Sequence, residues 1–230
     1  MATSKLPVLA LAHPLILMPA SRFTMPVSKE IGETLLALIE ESDTLPIVAA
    51  LPITNQGSNN NTTEPALAEW GTAARVLRLV KPPARNPRQP YLVSLHGLSR
   101  VRLINTSISK LSPEDLHQMP VHDIEYPRTE QVPTPETVQR FKQSAARLLD
   151  RLAKDSIQQS RKESYNKIAG MLDDIAPARA SWMVDVLIGS VNGEYSDKLG
   201  ECSFRLSLSP ISPIHLSLRD DGPCYHPSTP

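Results

Sequence analysis

Glycine is scarce in this chain, nine residues in 230, and cysteine scarcer still at two. None of the nine glycines precedes a lysine, and none belongs to a Gly-x-Gly-x-x-Gly or Gly-x-Ser-x-Gly run. The backbone cradle that holds nucleotide phosphates and the elbow that presents a nucleophilic serine are both missing, so ATP chemistry and serine hydrolysis of that kind are excluded. Cys202 and Cys224 lack the Cys-x-x-Cys spacing of a zinc or redox site. Charge of one sign is also lacking, since 24 basic residues face 24 acidic ones. Nucleic-acid and anionic-membrane binders draw affinity from released counterions and need a basic excess, so neither partner is expected. No apolar run approaches the roughly 18 residues of a membrane span.

What remains is 40% hydrophobic residues, 4% aromatics and 22 prolines, the composition of a globular chain with proline-rich connections. Lys5 and the apolar stretch Leu6 to Met18 imitate a secretory signal, but Pro7, His13 and Pro14 break it. A first strand is the better reading, and with it intracellular residence. Three Asn-x-Ser/Thr triplets, at Asn60, Asn61 and Asn105, have meaning only in a secreted chain and are set aside.

The hydrophobic period divides the chain. Residues 6–127 read as mainly β with one early helix. Short strands are expected at Leu6 to Ala10 and Leu15 to Met18, then at Ile47 to Ile53, Gly71 to Val80, Tyr91 to Leu95, Leu98 to Ile104 and Pro120 to Tyr126. A turn at His96-Gly97 would join two of these, with Arg100 and Arg102 facing away from Val101 and Leu103. Ser28 caps a helix from Lys29 to Glu41, whose face is Ile31, Leu35, Leu36, Leu38 and Ile39. Thr54 to Glu64 has nothing apolar to bury and reads as a surface loop, Lys81 to Pro90 as a proline-rich connection, and Pro113-Glu114-Asp115 as a turn.

From residue 134 the period becomes 3.6. Thr134-Pro135-Glu136 starts a long helix with the stripe Val138, Phe141, Ala145, Leu148, Leu149 and Leu152. A second runs from Glu163 to Ile175 through Tyr165, Ile168, Met171 and Leu172. A third opens at Pro177 with Trp182, Met183, Val186 and Leu187 inward, ending near Asn192-Gly193. The fold class expected is α+β: a mainly β unit with a covering helix over 6–127, a helical subdomain over 134–195, and a disordered tail over 200–230.

Candidate chemistry is sparse. His117, His122 and Asp123 resemble metal ligands, yet an offset of five places the two histidines on opposite faces of a straight strand, so solvent-exposed histidines are the plainer reading. Glu125 and Glu130 lack the apolar surroundings that would raise a carboxyl pKa for acid–base work. A binding module without catalytic residues, metal or cofactor is therefore expected.

Leu6-Pro7-Val8-Leu9-Ala10-Leu11, Leu17-Met18-Pro19, Trp70-Gly71-Thr72-Ala73-Ala74-Arg75-Val76 and Gly97-Leu98-Ser99-Arg100-Val101-Arg102-Leu103 follow one another in an order and spacing that resemble the N-terminal domain of Lon ATP-dependent proteases over residues 6–195. The Asn/Thr-rich loop after Ile53 and the helices between Met171 and Gly193 are most like the fungal peroxisomal branch. Ala10 and Ala12 stand where proline and arginine are usual, and Ala20 where glycine is customary. The resemblance implies a PUA-like barrel followed by helices, without the ATPase and protease domains. It would bind unfolded or degron-bearing proteins and aid oligomerisation with full-length Lon subunits in protein quality control. Leu15, Leu17, Met18, Phe23 and Met25 are the candidate client contacts, because adaptable apolar side chains suit varied partners. A free-standing adaptor of ubiquitin-ligase type is the alternative.

The resemblance implies the peroxisomal matrix for that branch, whereas the terminal Ser228-Thr229-Pro230 lacks the import tripeptide and points to the cytosol for this chain. Residues 200–230 carry both cysteines, five prolines and six serines. Gly200-Glu201-Cys202 can be encoded with an internal GTGAGT, so the tail is expected to be translated intron or a truncated reading of a longer gene.

Overall fold

Alternating apolar residues in the first strand, β1 (Ala2–Leu11), serve two cores at once. Leu6 and Val8 enter one cluster of buried side chains, Leu9 and Leu11 another. The computed structural model describes residues 2–55, 65–82, 90–104, 118–127, 132–191 and 198. The other strands are β2 (Arg22–Val27), β3 (Ile47–Asn55), β4 (Pro65–Leu67), β5 (Trp70–Val80), β6 (Tyr91–Leu103) and β7 (Val121–Tyr126). They form one sheet in the order β1-β7-β6-β5-β3-β4, with β2 on the first half of β6. A parallel pairing of β1 with β3, Val8 opposite Ala49 through Leu11 opposite Pro52, closes the sheet into a barrel-like ring. Parallel neighbours need a crossover, and the one here contains helix α1 (Lys29–Glu41).

On β3, Val48 and Ala50 face the α1-side core while Ala49 and Leu51 face the other, so this part of the sheet is buried on both sides. Ser28 caps α1 through its hydroxyl, which accepts from the Ile31 amide at 3.3 Å. The helix seats its Ile31, Gly32 and Leu35 side, whereas Leu36, expected inside, is exposed. A Cβ on Gly32 would collide with the Tyr91 ring, so the bare glycine admits the ring, and Leu36 lies at the flank of the buried face.

The helical part follows. Helix α2 (Pro135–Asp155) starts as the Thr134-Pro135 signal predicts, the Thr134 hydroxyl accepting from the Thr137 amide at 3.3 Å. Helix α3 (Gln159–Asp173), a 3-10 turn at Pro177–Arg179 and helix α4 (Ala180–Ser190) follow it. Ala145, Leu149, Tyr165, Ile168, Leu172, Ile175, Met183 and Leu187 form their common core. The fold is thus α+β, a largely antiparallel ring of strands plus helices.

Several local expectations are corrected. Leu15 to Met18 is not a strand but part of an irregular segment after a cis His13-Pro14 bond. The strand in this region is β2, which begins at Arg22. No turn interrupts His96-Gly97, since β6 runs unbroken through both. Met171 and Trp182, expected inward, are 39% and 38% exposed. The loop expected from Thr54 to Glu64 starts later, since β3 runs to Asn55; its remainder from Gln56, most of the Lys81 to Pro90 connection, the Pro113 turn, Asn192-Gly193, His117, Glu130 and the 200–230 tail lie outside the described residues.

Candidate functional site: the seam between barrel and helices

The five apolar candidates divide by burial. Leu17 and Met18 are each 2% exposed and Met25 7%, so their side chains belong to the interior. Leu15 is 36% exposed, and Phe23 is half-buried, resting on the α1-side core. Only Leu15 and Phe23 offer surface.

The reason for the burial lies in the backbone of residues 17–21. The Thr72 hydroxyl donates to the Leu17 carbonyl at 2.7 Å. The Ser21 hydroxyl accepts from the Met18 amide at 3.1 Å and donates to the Met18 carbonyl at 2.6 Å. The Ala20 amide donates to the Gly97 carbonyl at 2.9 Å, and the Gly97 amide to the Ser21 carbonyl at 3.0 Å. A Cβ on Gly97 would strike the Met18 carbonyl, so the segment lies flat on β6 only because residue 97 is glycine. Ala20 takes φ 63°, a left-handed conformation that costs a residue with a Cβ roughly 1–2 kcal/mol. From the other side, Gly189 of α4 would carry a Cβ 3.6 Å from the Cβ atoms of Met18 and Ser21. The segment is therefore held between the barrel and helix α4.

A buried ion pair crosses the same seam. Arg100 of β6 donates through Nη2 to Asp185 Oδ1 of α4 at 2.7 Å, the side chains 9% and 12% exposed. Arg100, expected to face away from Val101, points into this seam. Asp185 is the single acidic residue in the apolar run Trp182 to Ile188, and that isolation was the sequence signal for a buried partner.

Elsewhere the chemistry is slight. Arg102 pairs with Glu69, lies 4.0 Å from Glu125, and has its guanidinium carbon 5.5 Å from the centre of the Trp70 ring. Glu125 thus joins a partly exposed charge cluster. His122 Nε2 is buried without a hydrogen-bond partner among the described residues. Burial lowers its pKa below the ordinary histidine value, while the Asp123 carboxylate pulls it back upward. Among the described residues, no three His, Cys, Asp or Glu side chains gather as metal ligands would. No helix there is long and apolar enough to cross a membrane.

Comparison with known proteins assigns this architecture. Residues 5–199 match the model of the ATP-dependent protease La (LON) substrate-binding domain. No curated protein matches the chain. Among solved structures, the N-terminal domain of Mycobacterium avium complex Lon protease is similar at 10% identity, with 86% of this chain and 96% of that chain covered and a TM-score of 0.49. The Lon N-terminal domain protein from Xanthomonas campestris is similar at 14% identity, with 79% and 96% covered and a TM-score of 0.41. Both likenesses are distant, and the assignment rests on the family match.

Proposed function

The chain belongs to the family of Lon substrate-binding domains, and on that premise we propose that it captures unfolded or degron-bearing proteins through apolar side chains kept at its surface, Leu15 and Phe23 among them. A substrate-binding domain of this kind is non-catalytic: it holds a protein substrate and performs no chemistry on it. The observation that carries the reading is the family match across residues 5–199, and the exposure of Leu15 and the partial exposure of Phe23 give it a physical means. Unfolded chains differ from folded ones chiefly in their accessible apolar side chains, so a recogniser needs apolar contacts on its own surface. Leu17, Met18 and Met25, the other three candidates, are buried and offer no contact surface of their own. Oligomerisation with full-length Lon subunits belongs to the same proposal, and sedimentation of the mixture tests it.

Fluorescence anisotropy of a labelled, permanently unfolded protein tests the capture reading. Leu15→Asp with Phe23→Ser is expected to weaken binding several-fold with a small change in melting temperature. Undiminished binding by that double variant refutes the assignment of these two residues, and absence of any binding by the native chain refutes the recognition reading itself.

A further inference from the structure

Helices α3 and α4 leave a groove of about 430 Å³ between them, where Met171 and Trp182 present their side chains, 39% and 38% exposed. Lys167 and Arg179 stand on its rim with one acidic neighbour, Asp174. Three of the five cations of α2 are neutralised along their own helix. Arg140, Arg151 and Lys154 each face a carboxylate one helical turn away, at Glu136, Asp155 and Asp150. Neither Lys167 nor Arg179 has an ion-pair partner among the described residues. The groove therefore combines an adaptable thioether, an aromatic face and a net positive rim.

We infer that this groove is a second client site that takes an extended peptide carrying a large apolar side chain beside a carboxylate. The apolar side chain lies against Met171 and Trp182, and the carboxylate meets Lys167 and Arg179. The partner is a peptide and not a second copy, because a rim with two unmatched cations repels its own image. The inference rests on the recognition reading above and names the class of segment preferred.

Gly170 supplies a selective probe. It lines the groove, and a Cβ there would meet nothing within 4 Å, so a large side chain fits without collision and occupies the cleft. The experiment uses the full chain with Trp70→Phe, which leaves Trp182 as the single tryptophan. Two twelve-residue peptides are titrated, identical except that a central leucine–phenylalanine pair is flanked by aspartates in one and by lysines in the other. The acidic peptide is expected to shift Trp182 emission and bind at least 10-fold tighter than the basic one. Gly170→Phe should weaken it at least 10-fold without lowering the melting temperature, and Lys167→Glu with Arg179→Glu should reverse the preference.

Equal affinity for both peptides, or unchanged affinity in Gly170→Phe, overturns the inference. So does Trp182 emission that shifts with protein concentration alone, which identifies a second copy as the occupant. In each of these cases an unfolded protein still held at Leu15 and Phe23 keeps the recognition reading standing. If the chain binds neither unfolded protein nor peptide, both fall.

Discussion

Arg100→Met isolates what holds barrel and helices together. In the native chain the guanidinium and the Asp185 carboxylate meet at 2.7 Å with 9% and 12% of their side chains exposed, so both charges have left most of their water. Asp185 has no other partner among the described residues, and methionine cannot donate to it. Removing one member of such a pair strands the other charge and costs about 3–5 kcal/mol. Against a total stability of roughly 5–15 kcal/mol that is a large share. At about 2–4 °C per kcal/mol for a chain of this size, the melting temperature should fall by roughly 6–20 °C. Arg100→Met with Asp185→Leu removes both charges and should recover most of the loss, since apolar replacement of a buried pair is often neutral. Urea titration followed by far-UV circular dichroism measures all three chains, with Arg140→Ala as reference. The Glu136–Arg140 pair is 75–79% exposed and should contribute under about 1 kcal/mol. If Arg100→Met costs no more than Arg140→Ala, or if the double variant is as unstable as the single, the buried pair does not hold barrel and helices together.

The remaining expectations concern the seam and the strands. Ala20→Gly should raise stability by about 0.5–1 kcal/mol, because relief of the left-handed strain exceeds the extra freedom of the unfolded chain; an unchanged or lower melting temperature counts against it. Gly97→Ala should cost more than about 3 kcal/mol or yield insoluble protein, since its Cβ has no room against the Met18 carbonyl; a native melting temperature would contradict that geometry. His122 titrates lower in the fold than in the unfolded chain because burial disfavours its charged form. Its contribution is thus intact above about pH 6.5, the unfolded value, and is lost as pH falls through the lowered folded value. Unfolding midpoints at pH 7.5 and 5.5 should accordingly converge in His122→Leu relative to the native chain, and an unaltered difference would assign the acid sensitivity elsewhere.

Local signals were readable wherever they were complete within a few residues. Thr134-Pro135 marked the start of α2, and Ser28 the start of α1, because capping is settled within one turn. The seam was less readable, since its causes lie far apart in sequence. Gly97 looked like a turn residue, but its bareness serves residues 18–21, more than seventy positions earlier. Arg100 alternates with Val101 as a solvent-facing residue would, and the carboxylate that meets it, Asp185, lies on a distant helix. Leu15 to Met25 was recognisable as apolar, but which of its side chains face inward follows from Thr72, Ser21 and Gly189, which no period reports. Met171 and Trp182 fit an inward stripe by spacing, yet α2 takes only part of that stripe and leaves the groove open.

The ring closes through β1, and that has a consequence for the order of events during synthesis. Both partners of β1 come later in the chain: β3 from residue 47, and β7 only at residues 121–126. At roughly 5–20 residues per second, about 6–25 seconds separate the emergence of β1 from that of β7. Throughout that interval a ten-residue apolar strand has at least one bare edge, able to pair with the same strand on a neighbouring ribosome. Pro7 and Lys5 sit in the half of β1 that waits longest, opposite Val121 and Asp123. Proline withholds a backbone donor and lysine adds charge, so the strand that must wait is one that pairs poorly with copies of itself. Replacing both with valine should leave the finished barrel folded while raising the fraction of nascent chain lost to aggregates, and pulse-labelled solubility would read the difference.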